Sequence, residues 1–176
     1  MSRIIIARYE DQEEHMVCGW DNPLKSYFFQ VVRAKDDPLY DDDMCSLRLG
    51  YNFQEFPTPL ELRRGLGKND IKDVITDEVA AFLRVTSAMG QNTIIDLTSA
   101  EDREKYNCWR PLVQTAGEAK WNGNGLVFAT REEAERSAEA LAARWLMVTN
   151  TAAGPAVGPA NYTNTDGYDK KIEAAA

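Results

Sequence analysis

His15 and Cys18 are the closest approach in this chain to a nucleophile with its base. A thiol works as a nucleophile only when a neighbouring group takes its proton, so the imidazole would have to lie against the sulfur. Residues 15–20 read as a strand, in which positions three apart point to opposite faces, so a His15–Cys18 dyad would require a β-bulge. His15 is the single histidine, which excludes every site built on two imidazoles. The three cysteines, Cys18, Cys45 and Cys108, are odd in number and widely spaced, with no C-x-x-C pair. Neither a disulfide framework nor a zinc knuckle is signalled, and buried free thiols are expected. No metal or cofactor is expected, and no residue is assigned a catalytic role.

The second cluster is acidic: Asp36, Asp37, Asp41, Asp42 and Asp43 fall within eight positions. Like charges this close must be solvated or neutralised by a cation. The D-x-D-x-D-G order and distal glutamate of a calcium loop are missing, so the residues read as a solvated loop, or as a phosphate mimic that engages a basic groove. Gly123-Asn124-Gly125 lacks the Lys-Ser or Lys-Thr of a phosphate loop and reads as a hairpin turn. At the start of the helix after Thr130, the carboxylates of Glu132 and Glu133 already answer the free amides, leaving no place for an anion. Glu132 and Glu135 share a solvated face where nothing raises one pKa for acid catalysis. Among four tryptophans, Trp20 and Trp145 read as core by pattern, while Trp121 sits in a polar turn and reads as an exposed anchor. The partner-binding candidates are therefore the five aspartates and Trp121.

The elements that must position these residues begin with strands. Arg3–Glu10 and Met16–Trp20 form a first hairpin around a polar cluster, and Asp21-Asn22-Pro23-Leu24 makes a second turn. Ser26–Ala34, apolar on both faces, reads as a central strand, and Cys45–Leu49 as a strand with one wet face. Thr58-Pro59-Leu60-Glu61 is a capping box with proline at the first helical position, and Gly65 and Gly67 end that helix. A second helix carries Val79, Phe82, Leu83 and Val85 as its apolar side and stops at Gly90. Thr93–Leu97 is a short strand, and a box at Thr98–Glu101 opens a charged stretch.

Beyond it come a strand near Leu112–Ala116, a turn at 121–125, a strand at Leu126–Phe128, and a helix capped by Thr130. In that helix Ala134, Ala138, Leu141 and Trp145 lie on one stripe, with Val148 continuing the spacing. Leu146–Thr151 reads as a last strand, Ala152–Pro159 as irregular, and Asp169–Ala176 as a frayed tail. The fold class expected is α+β: an antiparallel sheet of about four strands with helices packed on one face, followed by a small ββαβ lobe. The expected divisions are an N-terminal lobe over 1–98, a linker over 99–109, a C-terminal lobe over 110–165 and a tail over 166–176.

Composition limits the function classes. The chain has 176 residues, 44% apolar and 27% charged, which is enough to build a core. No apolar run approaches the roughly 20 residues that cross a bilayer. Residues 1–8 lack the apolar stretch and cleavage site of an export signal, so a cytoplasmic location is expected. The formal charge is −8, and residues 1–98 hold 17 of the 28 acidic side chains. Such a surface repels a phosphate backbone, so direct nucleic-acid binding is disfavoured. The same charge serves solubility, or lets an acidic face occupy a basic partner.

The run Asn124-Gly125-Leu126-Val127-Phe128-Ala129-Thr130-Arg131-Glu132-Glu133-Ala134-Glu135, then Arg144-Trp145, then Pro159-Ala160-Asn161-Tyr162, resembles a pattern found in small phage and prophage proteins. Written N-G-L-x-F-A-T-x-E-E-A-E with R-W and P-x-N-Y, it covers residues 110–162; Leu146 departs from the threonine of that group. Residues 19–29 more weakly resemble uncharacterised plasmid or phage proteins. The resemblance implies a mobile-element setting and no particular reaction. Three function classes stand on the residues: a non-enzymatic binding protein, acting on a host or phage protein and in its sharper form inhibiting a nucleic-acid-binding defence system; a small enzyme with dispersed residues near His15 and Cys18; and a structural virion component.

Overall fold

A computed structural model of the chain describes residues 2–9, 14–33, 45–89 and 93–173. The aspartates at 36, 37, 41, 42 and 43 lie outside the described residues. The class is α+β, with four helices among the described residues. No helix among them is long and apolar enough to cross a membrane.

The first sheet has five strands: β1 (Ser2–Tyr9), β2 (Glu14–Asp21), β3 (Ser26–Arg33), β4 (Cys45–Leu49) and β5 (Ile94–Asp96), in the order β4-β3-β2-β1-β5. Strands β1 to β4 pair antiparallel, as alternating hairpins dictate. β5 corrects the expectation of an antiparallel sheet of about four strands, because it joins the free edge of β1 in parallel, with Ile4 opposite Ile95. The physical reason is the connection. Helices α1 (Pro59–Gly67) and α2 (Asp77–Met89) carry the chain from the β4 side across one sheet face to the far edge, where it re-enters along the direction of β1.

Both faces of this sheet bury apolar side chains, as the aromatic density of β3 requires. Ile4, Cys18, Trp20, Tyr27 and Phe29 face α1 and α2 and meet Leu62, Leu66, Val79 and Leu83. Ile5, Val17, Phe28 and Val32 cluster on the other face. Full burial of each large ring contributes about 2–3 kcal/mol, so Phe28 and Phe29 alone anchor both faces. The start of α1 is as expected: Thr58 Oγ1 accepts from the Glu61 amide at 3.2 Å, and the Glu61 carboxylate accepts from the Thr58 amide at 3.1 Å. The charged stretch opens differently. Ser99, not Thr98, caps α3 (Ala100–Lys105), and the Thr98 hydroxyl instead donates to Asp96 at 2.6 Å.

A second sheet is built from β6 (Cys108–Thr115), the short β7 (Asn122–Gly123) and β8 (Val148–Ala156), in the order β7-β6-β8. Helix α4 (Arg131–Arg144) packs on it, and a hairpin of β9 (Tyr162–Thr165) and β10 (Tyr168–Lys171) packs against α4. Four local expectations are corrected here. Residues 126–128 contribute one bridge, Trp109 to Phe128, and no strand. The stretch 152–156, read as irregular, continues β8, because small side chains let α2 and α4 approach: Gly154 lies under Val85 and Leu112, and Ala153 meets Ala134 and Phe128. Asp169 to Lys171, read as part of a frayed tail, belong to the strand β10, turned by Asp166 at φ 51° and Gly167 at φ 82°. Trp145, read as core, terminates α4 in an extended conformation and is 44% exposed. The buried stripe of α4 comprises only Ala134, Ser137 and Ala138.

Helix α2 touches both sheets. Its Val79, Phe82 and Leu83 belong to the first core, while Val85 packs with Leu112 and Trp121 of the second.

Candidate functional site

β2 is regular between His15 and Cys18, each residue pairing in step with β3, so their side chains leave opposite faces of the sheet. A bulge does occur, but in β1, between Ile5 and Ala7. Cys18 is fully buried in the first core, where burial pushes its thiol far up from the ordinary value. His15 stands on the other face opposite Arg8 and Val32, and its Nδ1 is buried without a hydrogen-bond partner among the described residues. The bulge has a second effect: it sets Arg8 on the face of Ile5, where its guanidinium pairs with Asp96 and its Nε donates to Thr98 at 3.1 Å. Partial burial pushes the Asp96 carboxyl up, but bonds from Thr98 and Arg8 outweigh this and hold it below the usual range. No group of three or more His, Cys, Asp or Glu side chains is placed to hold a metal ion among the described residues.

Trp121 does not stand out from the surface. It is 7% exposed, packs on Val85 and Leu112, and its amide donates to Ser87 Oγ at 3.3 Å. The Ser87 hydroxyl also accepts from Tyr27 at 3.2 Å, tying the turn at 121 to the first core. A polar flanking sequence therefore misreads this ring: Gln114 fixes the turn through its bond to the Ala119 carbonyl at 2.9 Å, and the indole is folded inward.

One edge of Trp121 remains as the wall of a cleft of about 440 Å³. Its rim comprises the start of α1 (Thr58, Pro59, Leu60), Arg131 and Glu135 of α4, and Asn150 to Ala153 of β8. Arg84, on α2, enters from the side with its guanidinium carbon 5.7 Å from the Trp121 ring centre. Arg131 stands 5.7 Å above the Trp109 ring and donates from Nε to Glu135 at 2.8 Å. The backbone carbonyl of Arg84 accepts from Ser87 Oγ at 2.8 Å, but the Arg84 guanidinium has no hydrogen-bond or ion-pair partner among the described residues. Burial pushes its pKa down, and the charges of Arg131 and Arg63 push the same way. Asp77 offsets them in part, but its carboxylate is engaged by Arg63 at 2.9 Å.

Arg84 was not singled out in the sequence, although it had a signal. It is the one cation in the run from Val79 to Met89, flanked at every neighbouring position by residues that the helix buries or half-buries. The cleft's other parts come from four separate elements that no local pattern joins.

Consecutive apolar exposure occurs at another place. At the turn between α4 and β8, Leu146 is 97% exposed, Met147 53% and Trp145 44%, three consecutive large apolar side chains facing water. The turn that presents them is firm: the Trp145 amide donates to the Leu141 carbonyl at 3.0 Å, Val148 to Trp145 at 3.0 Å, and Ala116 to Met147 at 2.9 Å. No protein-family model, curated protein or solved structure matches this chain.

Proposed function

We propose that this protein is a non-enzymatic binding protein of the phage or mobile-element kind that acts in the cytoplasm by docking onto another protein. The observation that carries the reading is the Trp145-Leu146-Met147 tip, where a hydrogen-bonded turn holds three adjacent large apolar side chains in water. Exposing such a group costs solubility and gains nothing for the fold, whereas an aromatic residue and a methionine on a rigid turn suit an interface centre. The net charge of −8 favours a partner with a basic surface. The sharper form is occupation of a host protein's basic nucleic-acid-binding groove, with inhibition of a defence system as the outcome. In this reading residues 1–98 form one lobe, and the ββαβ lobe over 110–165 presents the tip.

The test places a photoreactive benzoylphenylalanine at Leu146 of the full chain, with Lys170 as control position, and irradiates it in host extract. The expected result is a crosslinked nucleic-acid-binding protein, obtained at 146 and not at 170 and competed away by added duplex DNA. Equal capture at both positions, or capture that DNA does not disturb, overturns the reading.

A further inference from the structure

We propose that the cleft between α2, α4 and β8 binds a small organic monoanion, a carboxylate carried on a flat apolar body, with Arg84 as the group that receives the charge. This goes beyond the docking reading and uses none of the residues of the tip.

The argument begins with an imbalance. A guanidinium drawn partly out of water loses hydration that a carboxylate or an array of acceptors ordinarily replaces. Arg84 has neither among the described residues. The carboxylate nearest in effect, Asp77, is spent on Arg63, and the next cation, Arg131, adds repulsion. The indole of Trp121 offers a ring face to the guanidinium at 5.7 Å, which supports a cation without neutralising it. The counter-charge is therefore missing at a defined place, and that place opens into a cleft of about 440 Å³, within the range of small-molecule sites.

The lining sets the ligand's class. Two arginines against the single carboxylate of Glu135 leave one positive charge, which matches a monoanion. A doubly charged phosphate would meet Glu135 and the net negative charge of the chain. The walls beside the charge are apolar: Pro59, Leu60, Trp121, Ala152 and Ala153. A body that stacks against the indole and lies along these side chains leaves its carboxylate at Arg84, where two parallel N–H groups can receive both oxygens. The rest of the lining is polar: Asn150, whose amide nitrogen donates to Gln114 Oε1 at 2.9 Å, and the exposed Thr151.

Phenylacetate is the probe, with phenylacetamide as its neutral counterpart and phenyl phosphate as the dianion, each titrated by calorimetry and by the NMR shifts of the tryptophan side chains. Phenylacetate is expected to saturate one site with a millimolar Kd, to shift the Trp121 signals most, and to bind at least about tenfold tighter than the amide or the phosphate. Arg84→Gln should lose that tenfold preference for acid over amide while keeping the natural chain's melting temperature. The acid–amide comparison on the natural chain decides the matter even if the variant does not fold. An N-acetylated tripeptide ending in phenylalanine distinguishes the source: tighter binding than phenylacetate assigns a protein C-terminus, weaker binding a free metabolite-sized acid. Equal binding of acid and amide, tighter binding of phenyl phosphate, or an unchanged preference in folded Arg84→Gln overturns the proposal.

Discussion

Gly154 offers the sharpest test of how α2 joins the second sheet. A β-carbon added there would stand 2.4 Å from Val85 Cγ2 and 2.6 Å from Leu112 Cδ1. Carbon atoms settle at about 3.5–4.0 Å, so Gly154→Ala requires the helix and strand to part by roughly 1 Å. Val85 cannot swing away, because a β-branched residue in a helix holds one rotamer, and both Val85 and Leu112 are completely buried. Overpacking of this kind costs about 1–3 kcal/mol, and the closeness of two contacts puts Gly154→Ala at the upper end. Val85→Ala alone removes two methyl-sized groups and leaves a void, a loss of about 2 kcal/mol.

In the double variant the new methyl enters that void, so the combined loss should be about 2–3 kcal/mol, well short of the sum. Urea unfolding followed by fluorescence and by circular dichroism reads all four free energies, and coincident curves check that the transition is two-state. At this chain length each kcal/mol corresponds to roughly 2–4 °C in melting temperature. A Gly154→Ala protein within about 0.5 kcal/mol of the natural chain, or additive effects in the double variant, would refute the reasoning. Either result would mean that α2 and β8 are not held against each other.

Glu133 receives Thr163 Oγ1 at 2.6 Å and the Asn164 amide at 3.1 Å, so it links α4 to β9 while serving the Thr130 cap. The Thr163 bond, helped by those from Asn164 and Thr130, holds its carboxyl below the ordinary glutamate value against a smaller opposing effect of burial. Glu133→Gln should therefore cost about 1 kcal/mol at neutral pH, limited by solvent screening. Because the folded pKa is the depressed one, that difference should be whole above the unfolded glutamate value and shrink as pH falls through the folded one; a cost that grows on acidification would contradict this. For the thiols, Cys18 and Cys108 are buried and Cys45 is half-buried, so a disulfide reagent should modify Cys45 first in the native protein and all three only after unfolding. Cys18 reacting as fast as Cys45 would contradict its position in the core.

Much of the fold was legible because local and global preferences agree. The β3 sequence, aromatic or β-branched at five of its eight positions and on both faces, fits a strand buried on both sides, and it is one. The Thr58-Pro59-Leu60-Glu61 box carries its own hydrogen bonds and forms as read. The failures share a cause: packing at a distance decided them. Nothing in Ala152-Ala153-Gly154-Pro155-Ala156 favours a strand by propensity, yet small side chains are what a strand crossed closely by two helices needs. The Asp166-Gly167 pair is a hairpin signal of the ordinary kind, obscured by the charged residues that follow it.

Trp121 and Trp145 exchanged their expected places, and the reason bears on the candidate sites. Periodicity set Trp145 on the stripe of Ala134, Ala138 and Leu141, but a stripe predicts burial only while the helix still lies over its sheet. By Leu141 the side chains are half-buried, and at Trp145 the helix has ended in an extended residue that stands exposed. Trp121 sits among asparagines and glycines, which mark a turn but do not say which way the turn folds. Its direction comes from Ser87 and Val85, residues of a helix more than thirty positions earlier. The two proposed binding positions, an apolar tip and a half-buried guanidinium over an indole, thus arise where helix α4 ends and where helix α2 serves two sheets at once. Neither condition is a property of any short stretch of sequence, so both would be lost to substitutions that move the helices without touching Leu146 or Arg84.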